Sequence, residues 1–206
     1  MWTPQVTLGE GVELDDAKAL IRAEIRTHRK SRSSKLALDA GRAIALHVRS
    51  LLPGVSTVAA FASQPSEPDM TPVLEALHQA GCEIRLPRLG PGLTRAWARY
   101  VPGEPLTEQA PGRPPAPMGP ILEEESLSEA DLVLAPALAV DIHGNRLGQG
   151  GGWYDRALRH KRPEVEVYAV TFADEITHDR LPTAEHDQPV NGVVTPDGVV
   201  ALPMPE

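Results

Sequence analysis

Residues 131–159 have the sequence DLVLAPALAVDIHGNRLGQGGGWYDRALR, and the rest of the chain is best understood outward from them. An apolar run over 132–140, broken only by Pro136, predicts a strand. The run is followed by a polar turn, then by a glycine-rich loop over 146–152, and then by a helix start at 153–158. This order is typical of phosphate sites, because glycine lacks a Cβ and a helix start offers free N–H groups to an anion. The glycine spacing fits neither the P-loop nor the dinucleotide fingerprint, so a plain flexible loop is an equally good interpretation of the glycines alone.

Two charged residues flank this glycine loop. Arg146 stands directly before the glycines and can pair with a phosphate through two parallel hydrogen bonds. Asp155 follows the last glycine by three residues, where a carboxylate beside bound phosphates can hold Mg²⁺. A favourable charge in the first helical turn explains Asp155 equally well.

The composition is that of an ordinary globular protein: 206 residues, of which 41% are hydrophobic and 23% charged. A net charge of −8 argues against a broad nucleic-acid surface. The single cysteine, Cys82, excludes an internal disulfide framework and fits a reducing compartment, where we expect it to be a small buried residue. No apolar run approaches the roughly 18 residues of a membrane span, and the N-terminus does not resemble a signal peptide. The sequence therefore predicts a cytoplasmic protein.

Amphipathic helices alternate with apolar strands along the chain. We predict helices from about residue 18 and over 36–52, 71–81 and 153–159, and strands over 57–62, 82–86, 93–101, 132–140 and 165–172, with a closing pair at 193–194 and 199–200. This pattern predicts an α/β fold with a mostly parallel central sheet and helices on both faces, in three layers. We expect one domain over 1–206. Within it, 1–14 is loose, and the proline-rich segment 102–120 wraps the surface and is a candidate for the rim of the site.

Basic residues crowd the first helix and the residues that follow it. They are Lys18, Arg22, Arg26, Arg29, Lys30, Arg32 and Lys35. For most of them we expect a solvated helix face. Lys18 and Arg22 differ, because they lie four residues apart on one face of the helix and belong to a pattern described next.

Residues 145–155, NRLGQGGGWYD, closely resemble the NRLGRGGGYYD signature of the 5-formyltetrahydrofolate cyclo-ligase family. The K-x-x-x-R of Lys18 and Arg22 resembles the opening of that family, and Ser-Glu-Pro at Glu67 resembles its Glu-Pro or Glu-Ile pair. Residues 185–195, EHDQPVNGVVT, resemble its x-H-D-x-P-V-D-x-V-V-T segment. The four segments occur in the family's order, which is far more specific than any one of them.

The resemblance implies an ATP- and Mg²⁺-dependent ligase that converts 5-formyltetrahydrofolate into 5,10-methenyltetrahydrofolate and releases ADP and phosphate. It implies catalytic roles for Lys18 and Arg146, and Mg²⁺ ligation by Asp155 and Asp187. The residues implied to bind ATP are Lys18, Arg22, Arg146, Leu147, Gly148, Gln149, Gly150, Gly151, Gly152 and Trp153. Those implied to bind the folate are Glu67, Gln149, Gly150, Gly151, Gly152 and Trp153.

This chain departs from the family signature at two positions. Gln149 replaces an arginine and keeps a hydrogen-bond donor but loses a cation. Trp153 replaces a tyrosine and keeps an aromatic face for the pterin but loses the hydroxyl. We therefore expect Gln149→Arg to raise activity towards ATP.

Several residues have alternative interpretations. Without the resemblance, Glu67 is best explained as a solvent-exposed loop residue. Arg88 either contacts a substrate carboxylate or is solvated, and His143 is expected to be solvated. His178 and His186 lie near Asp187 in sequence, but their spacing matches no recognised zinc site.

Two other functional hypotheses compete with the interpretation as a cyclo-ligase. One is a folate- or nucleotide-binding module that does not turn over, and the other is a related enzyme acting on another phosphate substrate. Retention of both aspartates argues against a pure binder, which does not need a metal pair. As partners we expect ATP and a reduced folate, with no nucleic acid and no membrane, and we expect a monomer.

Overall fold

The computed structural model describes residues 2–4, 11–90, 94–110 and 113–203. The helices are α1 (Leu14–Lys30), α2 (Ser34–Val48), α3 (Thr71–Gln79) and α4 (Trp153–Ala157). The strands are β1 (Thr57–Ala59), β2 (Glu83–Leu89), β3 (Arg95–Arg99), β4 (Ile121–Leu122), β5 (Leu132–Pro136), β6 (Ala139–Asp141), β7 (Arg146–Leu147), β8 (Glu166–Val170), β9 (Ile176–Thr177), β10 (Gly192–Thr195) and β11 (Gly198–Ala201). Short 3-10 turns lie at Arg49–Leu51, Glu124–Glu129, Leu158–His160 and Ala173–Glu175.

An eight-stranded sheet in the order β11-β10-β8-β5-β1-β2-β3-β4 forms the centre of the molecule. Neighbours from β10 to β2 run parallel, and β11, β3 and β4 are antiparallel additions at the edges. The chain moves one way along the sheet from β1 to β2 and the other way from β5 to β8. Right-handed crossovers therefore place α3 and α4 on opposite faces. The predicted three-layer α/β fold with a mostly parallel sheet is confirmed.

The core is built by strands that are apolar on both faces, as is usual for a parallel sheet covered by helices. Val133, Leu134 and Ala135 of the central strand β5 are completely buried. Trp97 in β3 is also fully buried. Cys82 is buried directly before β2, which confirms the prediction made for it. None of the helices in the described ranges is long and apolar enough to cross a membrane.

The apolar run over 132–140 forms two strands, and the prediction of one strand there is wrong. Proline has no N–H to donate to a sheet ladder, and β5 ends at Pro136. The chain then enters β6, which pairs with β7 and β9 in a separate three-stranded sheet. Asp141 closes the β6–β7 turn, because its carboxylate accepts the N–H groups of His143 at 2.8 Å and Asn145 at 3.0 Å. The glycines of the loop follow directly after this hairpin.

Two basic residues in and just after α1, the buried Arg29 and the half-buried Arg32, pair with carboxylates, so a solvated face is the wrong prediction for them. The Arg29 guanidinium pairs with Glu175 at 2.7 Å, and both side chains have no solvent exposure. Arg32 donates to Asp174 at 2.6 Å and covers the Phe172 ring, with its guanidinium carbon 3.8 Å from the ring centroid. These contacts fix α1 to the segment after β8.

The terminal and proline-rich segments are described only in part. Trp2 stacks on His28 of α1, with ring centroids 3.8 Å apart, while residues 5–10 lie outside the described residues. The segment 102–120 is attached to the end of β2, because Leu89 donates its N–H to the Gln109 side chain at 2.5 Å. Residues 111–112 of that segment, and residue 93 of a predicted strand, also lie outside the described residues.

Candidate active site

A cavity of about 630 Å³ opens beyond the carboxyl ends of β1, β2 and β5. The strand order reverses between β1 and β5, and open α/β sheets bind ligands at such a switch point. The volume lies within the usual range of ligand pockets, roughly 300–1,000 Å³. Helix α1, the loop after β1 and the glycine loop form its walls.

The residues predicted to bind ATP, folate and metal all line this one cavity. They are Lys18, Arg22, Glu67, Arg146, Leu147, Gly148, Gln149, Gly150, Gly151, Gly152, Trp153, Asp155 and Asp187. Sequence reasoning did not assign Arg26, Gln109 or Arg113 to the site, although they also line it, and it left Arg88 open. The lining places Arg88 in the cavity wall. The role of each residue stays a prediction, but their convergence from distant segments is a structural fact.

Two ion pairs join the predicted phosphate-binding cations to the predicted metal ligands. Lys18 pairs through Nζ with Asp187, and Arg146 pairs through Nη2 with Asp155. The side chains of Lys18 and Arg146 are only 6% and 2% exposed, so both pairs are shielded from water. The backbone N–H of Gln188 donates to the Asp155 carboxylate at 3.3 Å, which holds the chain next to Asp187 against Asp155. The two carboxylates therefore belong to one wall of the cavity.

The ion pair with Lys18 controls the charge of Asp187. Burial raises the pKa of Asp187, but the Lys18 ammonium and the Ala184 N–H outweigh burial and hold that pKa below its usual value. A carboxyl group with a lowered pKa stabilises the folded state above its unfolded pKa and loses this contribution as pH falls through the folded pKa.

Lys18→Met is therefore expected to raise the pKa of Asp187, because burial then acts with much less opposition. Carboxyl ¹³C chemical shifts recorded against pH measure this directly. Lys35→Met is the control, since Lys35 is an exposed lysine of the next helix, α2, and also pairs with an aspartate, Asp39. An unchanged Asp187 titration in Lys18→Met would rule out the ion pair as the cause.

Two arginines of α1 hold the glycine loop through its backbone. Arg22 donates from Nε to the Gly148 carbonyl at 2.9 Å, and Arg26 donates from Nη2 to the Gln149 carbonyl at 2.7 Å. Gly150 and Gly152 have φ angles of 101° and 60°, in a region that side-chain-bearing residues rarely adopt. Burial and the nearby Arg26 charge lower the pKa of Arg22.

Glu67 is a buried carboxylate, so its interpretation as a solvent-exposed loop residue is wrong. It is only 4% exposed. One oxygen accepts the Gln64 N–H at 2.9 Å, and the other accepts the Gln149 side-chain amide at 2.9 Å. Burial raises the pKa of Glu67 against the lowering effect of these hydrogen bonds.

Trp153 gives the cavity a flat aromatic wall. Its ring is half-buried and packs edge-to-face on the buried Trp97, with centroids 4.9 Å apart. The next residue, Tyr154, is buried and donates its hydroxyl to the Ala60 carbonyl at 3.0 Å, which ties α4 to the segment after β1. The helix itself has only five residues before a 3-10 turn, shorter than predicted. Binding at this wall must therefore depend on side chains and loop amides more than on a helix dipole.

The donor set fits Mg²⁺ bound together with phosphate. No group of three or more His, Cys, Asp or Glu side chains is placed to hold a metal ion within the described ranges. Mg²⁺ typically uses one or two carboxylates plus substrate phosphates and water, and Asp155 and Asp187 provide two carboxylates. The Nε atom of Arg146 is buried without a hydrogen-bond partner among the described residues, so this guanidinium has a free donor.

Comparison with known proteins agrees with this geometry. Residues 15–196 match the model of the 5-formyltetrahydrofolate cyclo-ligase family. A 5-formyltetrahydrofolate cyclo-ligase of Mycolicibacterium smegmatis is 40% identical over 152 residues, 71% of this chain and 77% of that protein. One from Escherichia coli K12 is 31% identical over 180 residues, 85% of this chain and 98% of that protein. The NMR structure of Aquifex aeolicus 5,10-methenyltetrahydrofolate synthetase superposes with a TM-score of 0.70 at 27% identity, covering 90% of this chain and 92% of that one.

Proposed function

This chain belongs to the 5-formyltetrahydrofolate cyclo-ligase family, and on that premise we propose that it cyclises 5-formyltetrahydrofolate to 5,10-methenyltetrahydrofolate while ATP is converted to ADP and phosphate. The resemblance of the four sequence segments to this family is confirmed. The observation that carries the proposal is the single cavity in which all four segments meet. The two shielded ion pairs at the wall of this cavity support the proposal, because they place two cations and two carboxylates within it.

The reaction has to turn a poor leaving group into a good one. The formyl oxygen attacks the γ-phosphorus of ATP, ADP leaves, and a phosphate ester forms on the formyl group. N10 then attacks the formyl carbon and loses its proton, and the oxygen departs as phosphate. Such phosphoryl transfer needs positioning and charge neutralisation more than a protein nucleophile. We assign the charge neutralisation to Lys18, Arg22 and Arg146.

Mg²⁺ would be held by Asp155 and Asp187 and would neutralise charge on the phosphate oxygens. Each of these carboxylates is paired with a cation in the present structure. With Mg²⁺ held by these carboxylates, the Lys18 ammonium and the Arg146 guanidinium would be available to phosphate oxygens. The site therefore suits a ligand that combines a metal cation with phosphate anions, such as the Mg²⁺ complex of ATP.

We assign the pterin end of the folate to Glu67 and Trp153. A buried carboxylate can accept two hydrogen bonds from adjacent donors such as a ring N–H and an exocyclic amine. Glu67 is buried in this way, and its hydrogen bond from the Gln149 amide, another residue of the cavity lining, supports the assignment. The Trp153 ring provides an aromatic surface for stacking.

Near-ultraviolet absorbance of the methenyl product tests the proposal. Purified protein with 5-formyltetrahydrofolate, ATP and Mg²⁺ is expected to generate the product, and omission of any one component is expected to stop it. A flat trace with measurable folate binding would favour the non-catalytic module instead. Failure to bind a reduced folate at all would favour a related enzyme with another phosphate substrate.

We further propose that the chain acts as one cytoplasmic domain over 1–206, as a monomer without nucleic-acid or membrane partners. The sequence composition supports this part of the proposal. Light scattering coupled to gel filtration measures the oligomeric state, and a mass twice that of the chain would overturn it.

Gln149→Arg is expected to raise kcat/KM for ATP about fivefold, because hydrogen bonds to charged groups exceed neutral ones by roughly 1 kcal/mol. The new guanidinium would lie between the cations of α1 and the Glu67 carboxylate, within reach of a phosphate. Initial rates at subsaturating ATP measure the effect. Gln149→Glu is the opposite-charge control and is expected to lower the rate, so equal effects of both variants would contradict the prediction.

A further inference from the structure

Three polar side chains form a continuous chain of hydrogen bonds along the cavity wall. Arg26 of α1 donates from Nη2 to the Gln149 side-chain oxygen at 3.2 Å. The Gln149 side-chain nitrogen in turn donates to the Glu67 carboxylate at 2.9 Å. This chain joins the helix that carries Lys18 and Arg22 to the carboxylate on the opposite side of the glycine loop.

The chemistry of the end groups fixes the orientation of the amide between them. A guanidinium can only donate hydrogen bonds, and an ionised carboxylate can only accept them. The Gln149 amide satisfies both neighbours in one orientation, with its oxygen towards Arg26 and its nitrogen towards Glu67. Rotating the amide by half a turn would set donor against donor and acceptor against acceptor.

An arginine at position 149, as in the signature this segment resembles, could not make this chain. Arginine has no acceptor atom, so it would leave the Arg26 guanidinium without the contact that Gln149 provides. Arg26 and Gln149 therefore work as a pair: the neutral amide supplies the donor to Glu67, and the cation comes from α1. Among the described residues that line the cavity, Arg26 is the one that contacts this side chain from α1.

We propose that Arg26 is a positioning residue for the folate-binding carboxylate, acting through the Gln149 amide on Glu67. This rests on the proposed function, which assigns Glu67 to the pterin. Loss of Arg26 frees the amide to rotate, so Glu67 loses a donor and its carboxylate is no longer held towards the cavity. Folate binding weakens as a result, while the phosphate contacts of Lys18 and Arg146 stay in place.

Arg26 also donates to the Gln149 backbone carbonyl, at 2.7 Å, so it has a second way to influence the loop. Gln149→Ala removes the side-chain route and keeps the backbone route. A double-mutant cycle with Arg26→Met and Gln149→Ala therefore separates the two, because residues that act through one another give non-additive effects.

The experiment measures the dissociation constant of 5-formyltetrahydrofolate by calorimetry for wild type, both single variants and the double variant. We expect an increase of about tenfold in Gln149→Ala. The increase in Arg26→Met is expected to be smaller, about threefold, because Arg26 is exposed to solvent. The double variant is expected to match Gln149→Ala at about tenfold. About thirtyfold, the product of the two single effects, would overturn the proposal.

Two further measurements separate positioning from a general structural role. Arg26→Lys keeps a donor and is expected to recover most of the folate affinity. The dissociation constant of a non-hydrolysable ATP analogue with Mg²⁺ is expected to change less than twofold in Arg26→Met. Equal weakening of nucleotide and folate binding would instead assign Arg26 to the phosphates.

Lys30→Met is the matched control, since Lys30 is exposed on the same helix one turn further along. Its folate affinity is expected to equal that of wild type. A wild-type protein that binds no 5-formyltetrahydrofolate would refute the proposed function itself. Wild-type binding with additive variants would refute only the positioning role of Arg26.

Discussion

Replacing Asp155 with asparagine is expected to abolish the Mg²⁺ dependence of ATP binding and to lower kcat/KM by on the order of a hundredfold or more. Substitution of residues that merely support metal ligands already costs about 10–100-fold, and Asp155 is assigned as a ligand itself. Asparagine has nearly the same shape, so the change removes one negative charge and little volume. Calorimetry of ATP binding with and without Mg²⁺ measures the first effect, and product absorbance measures the second.

ATP binding in the absence of Mg²⁺ is a second test of the Asp155→Asn variant. The Asp155 carboxylate repels the phosphates of metal-free ATP, and it also occupies the Arg146 guanidinium. Metal-free ATP is therefore expected to bind Asp155→Asn at least as tightly as wild type. Asp197→Asn, in the exposed turn between β10 and β11, is expected to behave as wild type in every assay. Retained Mg²⁺ dependence in Asp155→Asn would contradict the metal assignment.

Arg29→Met is expected to lower the free energy of unfolding by about 3–5 kcal/mol, the usual cost of removing one partner from a buried ion pair. Glu175 has no solvent exposure, and Arg32 would remain as its one cationic partner within the described part of the chain. Urea denaturation followed by circular dichroism gives the change. Lys35→Met breaks an exposed pair and is expected to cost less than about 1 kcal/mol. Similar losses in the two variants would contradict the prediction.

The same buried pair predicts how stability responds to acid. Burial raises the pKa of Glu175, but the hydrogen bonds and charge of Arg29 outweigh burial and hold it below its usual value. Glu175 therefore stabilises the fold above its unfolded pKa and loses that contribution as pH falls through its folded pKa. In Arg29→Met this loss is expected to shrink, so the acid side of the stability profile should be flatter than in wild type.

The sequence predicts those features that depend on local pattern. Apolar runs separated by amphipathic helices predict the parallel sheet, because burial on both faces demands continuous apolar strands. The glycine loop and the two aspartates are recognised because they lie within contiguous motifs. Each predicted helix and strand has a counterpart, with ends displaced by a few residues. The division of the run at Pro136 was missed because periodicity carries no information about which sheet a strand joins.

Contacts between distant segments could not be predicted in the same way. Arg29 and Glu175 are 146 positions apart, and neither residue lies in a motif, so their charges alone suggest solvated side chains. The contact between Gln149 and Glu67 spans 82 positions and depends on how the loop after β1 meets the glycine loop. Such pairings follow from the topology of the whole sheet, which only the folded chain provides.

The hairpin after Pro136 has a consequence for the tolerance of the site to engineering. Arg146 lies on β7, opposite Val140 of β6, so it belongs to a hydrogen-bonded strand and not to the glycine loop that follows it. Its guanidinium has little rotational entropy left to lose when a ligand arrives. Lysine at this position would replace the planar, fixed guanidinium with an ammonium group on a flexible side chain. Replacement of Gln149 in the glycine loop is thus a more promising route to altered nucleotide preference than replacement of this arginine.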